Sequence, residues 1–74
     1  MAGISNSIRA LRAERGMTQQ QLADLIGLTR QTVVAIEGDK YSPSLETAFR
    51  IALVFGVGVE EVFRFEGKGV GGRG

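Results

Sequence analysis

The chain has 74 residues and a formal net charge of +1, which suits one small domain and leaves no room for a catalytic domain beside a binding one. It contains no Cys and no His. That excludes a disulfide framework, zinc fingers and most transition-metal sites, and no cofactor is expected. No apolar run is long enough to span a bilayer, and the N-terminus lacks the long apolar stretch of an export signal. A cytoplasmic protein with no membrane partner is therefore expected. A core of this size is marginal, so oligomerisation is the natural source of further burial. The charge distribution says more than its sum. Among the first fifteen residues Arg9, Arg12 and Arg15 face only Glu14, whereas Glu60, Glu61 and Glu66 outnumber Arg64 near the end.

The segment SNSIRALRAERG predicts a first helix, with the side-chain oxygen of Ser5 or Asn6 accepting from its free amides, Ile8 and Leu11 on one face, and Gly16 as its stop. TQQQLADLIG predicts a second. Thr18 and Gln21 have the spacing of a capping box, Leu22, Ala23 and Ile26 form its inward stripe, and Gly27 ends it. TRQTVVAIEG predicts a third, capped by Thr29, with Val33 and Ile36 inward and Gly38 as terminator. Its two adjacent valines suit a strand on propensity alone, but the cap and the spacing favour a helix. SPSLETAFRIALVFG predicts a fourth, capped by Ser44, with the stripe Leu45, Ala48, Ile51, Ala52 and Phe55. VEEVF predicts a short fifth helix, followed by a short extended piece. The domain is expected to span residues 1–66, with a flexible Gly-rich tail over 67–74.

Only GLT joins the second and third helices. So short a turn with one Gly fits helix-turn-helix geometry, with Ala23 small enough to let the helices approach closely. From the apolar positions alone an ordinary helical hairpin fits equally well. Arg30 and Gln31, taken alone, read as solvated helix residues.

The run RAERGMTQQQLADLIGLTRQTVVAIEGDKYSPSLETAFRIALVFGV resembles the Cro/lambda-repressor-like, or XRE, helix-turn-helix family. The likeness spans roughly Ile8 to Phe63 and rests on Arg12, Gly16, Thr18, Gln19, Leu22, Ala23, Gly27, Thr29, Val33, Ile36, Glu37 and the run YSPSL. It implies an all-α, five-helix domain that binds double-stranded operator DNA, usually as a homodimer. Short stand-alone members also suggest a small β-ribbon from the two chain ends, for which AGI and VFRFE are the candidates.

In that geometry the start of the third helix meets base edges in the major groove. Arg30 then suits guanine O6 and N7, Gln31 suits adenine N6 and N7, and Thr32 a base or a phosphate. Val34 and Ala35 offer apolar surface to thymine methyls. Thr18 and Gln19 at the head of the second helix, Thr29 at the head of the third, and Lys40 and Tyr41 after it are the expected phosphate contacts. The family pattern pairs Arg12 with Glu37 in a structural ion pair. Asp39, in EGDK, departs from the pattern and adds a negative charge beside the expected phosphate path. The fourth helix is apolar on more than its core face, through Phe49, Leu53 and Val54. With the surplus apolar bulk beyond it this offers a dimer surface, to which Val57, Val59, Phe63 and Phe65 are expected to contribute.

The leading expectation is a sequence-specific, dimeric DNA-binding repressor. An antitoxin or a restriction-modification controller of the same fold is the alternative, and a protein-interaction module without DNA binding is the reading from another class. No small-molecule ligand is expected in the absence of a second domain. An enzyme is not expected either, since no Ser, Thr, Lys or carboxylate sits in a recognisable catalytic motif.

Overall fold

The computed structural model of the chain describes residues 4–65. In order these form β1 (Ile4–Asn6), α1 (Ile8–Glu14), α2 (Gln19–Ile26), α3 (Arg30–Glu37), α4 (Leu45–Phe55), α5 (Val59–Val62) and β2 (Phe63–Phe65). The expected five helices and ribbon are present. The expected tail, with Ala2 and Gly3 of the AGI candidate, lies outside the described residues.

Helix starts follow the side-chain oxygens. The capping box of α2 is complete: Thr18 Oγ1 accepts the Gln21 amide at 3.0 Å and Gln21 Oε1 accepts the Thr18 amide at 2.8 Å. Thr29 and Ser44 cap α3 and α4 by accepting the amides of Thr32 and Thr47. The first helix is arranged differently. Its N-cap is Ser7, which makes no side-chain cap bond, while Asn6 Oδ1 reaches forward to accept the Ile8 amide at 3.1 Å. Ser5 belongs to the strand instead. Gly27 and Gly56 end α2 and α4 in the left-handed conformation, at φ 75° and 72°, which costs a side-chain-bearing residue more than Gly.

The end of α3 departs from expectation. Gly38 is the C-cap but has φ −87°. The left-handed residue is Asp39, at φ 61°. Asp tolerates that region better than most residues, because its short polar side chain bonds locally.

One core holds these elements together. Ile8, Leu22, Ala23, Ile26, Val33, Ile36, Ile51, Ala52, Phe55 and Val62 form a single buried cluster, with Leu11, Met17, Leu28, Val54, Val57, Val59 and Phe63 packed against it. Leu45 is the exception to the expected stripe of α4, at 73% exposed. At 3.6 residues per turn it lies roughly 70° from the centre of the buried face, and it is the first residue of the helix, ahead of the part that meets the body.

The ribbon closes the domain. β1 and β2 pair antiparallel, with Ile4 opposite Phe65, Ser5 opposite Arg64 and Asn6 opposite Phe63. The Ser7 amide extends the pairing by donating to the Val62 carbonyl at 2.8 Å. Phe63, expected at the end of the fifth helix, instead opens β2, because α5 stops after a single turn. Among the described residues the N-terminal strand is ISN, so Ile4 of the AGI candidate lies in it.

Burial separates two leucines sharply. Leu22→Ala should lower stability by about 2–5 kcal/mol, the cost of an unfilled core cavity. Leu45→Ala should change it by no more than about 0.5 kcal/mol. Urea denaturation of both variants at low protein concentration checks this, and equal midpoint shifts would contradict the burial pattern.

Candidate nucleic-acid interface

The α2–α3 pair is anchored at the end of α3. Glu37 presents both carboxylate oxygens to three donors: Arg12 Nε at 2.6 Å, Arg12 Nη2 at 3.1 Å and Gln19 Nε2 at 3.2 Å. The Arg12 fork is bidentate, the geometry in which guanidinium and carboxylate fit best. Arg12 Nη1 also donates to the Met17 carbonyl at 2.9 Å, across the turn from α1 to α2. The side chains of Arg12 and Glu37 are only 13% and 7% exposed. The hydrogen bond to Glu37 raises the Arg12 pKa above its ordinary value; burial opposes this, and the carboxylate charge adds to it. The expected pair therefore exists in the structure, with Gln19 added to it. Gln19, expected at a phosphate, spends its side-chain amide on Glu37.

A second anchor was not legible in the sequence. Asn6 Nδ2 lies within hydrogen-bond reach of the Ile36 carbonyl at 3.1 Å, the Glu37 carbonyl at 3.4 Å and Asp39 Oδ1 at 3.2 Å. The same side chain accepts the Ile8 amide, so one residue ties β1, α1 and the end of α3 together. The last carbonyls of a helix lack intrahelical partners, and Asn6 supplies one. The bond to Asp39 also gives that charge a structural engagement beside the α3 terminus.

With its rear face and end held, α3 turns its other side outward. Arg30 and Gln31 are exposed, Val34 is 44% exposed, and Thr32 and Ala35 are half-buried. Thr29 and Thr32 share a hydroxyl hydrogen bond of 3.1 Å, which orients the first turn. Two open hollows flank this helix. The larger, about 480 Å³, is lined by Arg9, Arg12, Thr18, Gln19, Gln20 and Arg30 among others. The smaller, about 230 Å³, is lined by Thr29, Gln31, Thr32, Ala35 and Tyr41. Lys40 and Tyr41 are exposed just beyond α3. Thr18 and Gln19 are thus brought together with Arg30 on one side, and Thr29 with Tyr41 on the other.

The cations divide by use. Arg12, Arg15 and Arg50 make ion pairs with Glu37, Glu14 and Glu46. Arg15 also donates to the Phe55 carbonyl at 2.8 Å and lies over the Phe55 ring, so it secures the end of α4. Arg9, Arg30, Lys40 and, on β2, Arg64 enter no ion pair among the described residues. Arg9 had no assigned role in the sequence reading, yet it lines the same hollow as Arg30. Its position three residues before Arg12, on the same side of a helix, was the available signal.

The residues expected at the dimer interface lie on a different part of the molecule. Val57, Val59 and Phe63 lean on the chain's own core while keeping part of their surface exposed, and Phe65 is 59% exposed. Among the described residues no helix is long and apolar enough to cross a membrane, and no cluster of acidic side chains suits a metal ion.

A capped helix pair joined by a left-handed Gly, with the second helix presenting long polar residues at its exposed head, defines the helix-turn-helix class. Residues 8–62 match the helix-turn-helix family model, and the chain belongs to that family, in its XRE-type branch. It is 46% identical over 63 residues to an uncharacterized HTH-type transcriptional regulator from Methanocaldococcus jannaschii, covering 85% of this chain and 96% of the relative. It is 40% identical over 58 residues to the cryptic phage CTXphi transcriptional repressor RstR of Vibrio cholerae, covering 78% of this chain and 52% of the repressor. Among solved structures it is similar to the restriction-modification controller protein C.AhdI from Aeromonas hydrophila, with a TM-score of 0.69 at 31% identity, over 73% of this chain and 82% of that one.

The Glu37 cluster sets a stability prediction. Glu37→Ala leaves the Arg12 guanidinium buried without its carboxylate, a change that typically costs about 3–5 kcal/mol. Its melting temperature should fall sharply, and Glu37→Gln, which keeps one acceptor oxygen, should fall between the two. A melting curve unchanged in Glu37→Ala would show that the cluster does not hold α3.

Proposed function

We propose that this protein is a sequence-specific DNA-binding transcriptional repressor that acts as a homodimer on an inverted-repeat operator, with α3 in the major groove. The observation that carries the proposal is the exposed head of α3 between two hollows, with Arg30 and Gln31 free to point outward. Arg30 reads guanine and Gln31 reads adenine, each by two parallel hydrogen bonds. Thr32, Val34 and Ala35 complete the base-facing surface. Thr18 and Thr29 at the two helix heads, Gln19 through its backbone amide, and Lys40 and Tyr41 take the flanking phosphates. Arg9 joins that set from across the larger hollow, where a phosphate chain passing Arg30 comes within its reach. The protein needs no cofactor or small-molecule ligand for this, and it carries no enzyme activity.

A dimer follows from site size. One such unit reads only a few base pairs, whereas two recognition helices about 34–36 Å apart read successive turns of the duplex. The exposed parts of Val57, Val59, Phe63 and Phe65 are the proposed contact between the two copies that share an operator. The likeness to C.AhdI supports a second reading, a restriction-modification controller, which would use the same DNA surface.

Selection of bound DNA from a random pool, followed by sequencing, tests the proposal; it should return an inverted repeat. Arg30→Ala and Gln31→Ala should each cost about 1–3 kcal/mol on that site and less on scrambled DNA. Arg9→Ala and Lys40→Ala should weaken both and lower the salt dependence by roughly one phosphate contact each. Equal losses on cognate and scrambled DNA for Arg30→Ala would reassign it to the backbone. Recovery of no enriched sequence, with no mobility shift, would favour a protein-interaction module instead.

A further inference from the structure

Lys40 and Tyr41 stand on a turn that is held from across the fold. Asp39 is left-handed, at φ 61°, at the position after a helix end where Gly is usual. Its amide donates to the Ile36 carbonyl at 3.1 Å, and the Lys40 amide donates to the Ala35 carbonyl at 2.9 Å. Both bonds need Asp39 to stay left-handed, a conformation less favourable for a residue with a side chain than for Gly.

Asn6 supplies the support. It lies on β1, opposite Phe63 of β2, and its Oδ1 accepts the Ile8 amide. Backbone and side-chain oxygen are therefore both fixed, and Nδ2 meets the turn. Its two hydrogens have three acceptors in reach. These are the Ile36 carbonyl, which the Asp39 amide also binds, the Glu37 carbonyl and Asp39 Oδ1. Packing adds to this. Tyr41 and Pro43 meet Ile4, Asn6 and Phe63 of the ribbon around a crevice of only about 10 Å³. Tyr41 also lines the hollow beside α3 with Gln31 and Thr32, so one side chain reaches from the ribbon to the proposed base-facing surface.

We infer that Asn6 is a positioning residue for DNA binding: from the ribbon it sets the turn over residues 38–41 so that Lys40 and Tyr41 meet the phosphate chain. This rests on the phosphate contacts proposed above for those two residues. It gives the ribbon a part in DNA binding beyond closing the domain.

The test is binding of the full-length chain to a fluorescein-labelled duplex of random sequence, followed by anisotropy across a salt series, because phosphate contacts do not depend on sequence. Asn6→Ser separates the two duties of Asn6. Its hydroxyl oxygen can still accept the Ile8 amide, but the side chain is too short to reach the Ile36 carbonyl. The variant should bind more weakly, by up to roughly fivefold at about 0.15 M salt, and its salt slope should fall by up to about one, the worth of one phosphate contact. In a Lys40→Ala/Tyr41→Phe background the same change should cost nothing further, whereas in an Arg9→Ala background it should keep its full effect. A purely structural role would lower the melting temperature without that pattern. Circular dichroism at the titration temperature checks that each variant is folded. Unchanged affinity and slope in Asn6→Ser, or an equal loss in both backgrounds, overturns the positioning role and leaves the phosphate contacts of Lys40 and Tyr41 standing. Loss of the fold in Asn6→Ser assigns Asn6 to the domain as a whole and also overturns it. If Lys40→Ala/Tyr41→Phe binds like the wild type, the phosphate reading of those residues fails, and the role of Asn6 fails with it.

Discussion

Glu37 sits at the end of the helix whose other face has to remain free. A helix that presents its outer side to a ligand cannot be held from that side, so everything that fixes α3 has to act on its inner face and its ends. Val33 and Ile36 hold the inner face by burial. Glu37 holds the end, because its carboxylate is shared by Arg12 from α1 and Gln19 from α2. Three helices thus converge on two oxygen atoms. Arg30 stands at the other end of the same eight-residue helix, so the anchor at Glu37 also fixes where Arg30 begins it. The same arrangement removes a negative charge from a surface that would otherwise repel phosphate, since both oxygens face inward onto donors.

The division of the cations follows from this. A net charge of +1 looks unpromising for a DNA-binding protein, but a sum conceals which charges are already neutralised. Arg12, Arg15 and Arg50 are occupied by carboxylates within the fold. Arg9, Arg30 and Lys40 are not, and they cluster around α2 and α3. Long-range attraction to a polyanion depends on the local field, so a near-neutral chain that keeps Arg9, Arg30 and Lys40 unpaired around the helix pair remains suited to DNA.

Most of the fold was legible because its signals are local. Thr18 with Gln21, Thr29 and Ser44 announce helix starts through a chemistry that involves only three or four neighbouring residues. Gly27 and Gly56 announce stops for the same reason. The pairing of Arg12 with Glu37 was legible through the family spacing, and the same spacing is the source of the proposed base-facing residues. What escaped was non-local or competitive. Asn6 was read as a possible cap for the first helix, which it partly is, but its bonds to Ile36, Glu37 and Asp39 span some thirty residues of sequence. Leu45 fitted the apolar periodicity, but periodicity does not say where along its length a helix leaves the body. Phe63 suited both a fifth helix and a strand, and pairing with Asn6 across the ribbon decided between them.

A domain this small has little margin, since stability is typically only about 0.05–0.15 kcal/mol per residue. Without disulfides it relies on satisfying its polar groups as fully as its apolar ones. No described buried side-chain nitrogen or oxygen lacks a partner, and the polar links fall where the core is thin: Asn6 between ribbon and helices, Arg12 between α1 and α3, Arg15 on the end of α4. Asp39 shows how closely these links are matched to the backbone. The left-handed turn after α3 admits few side chains. An Asp there satisfies the geometry and at the same time accepts from Asn6, which accounts structurally for a residue that looked out of place beside a phosphate path.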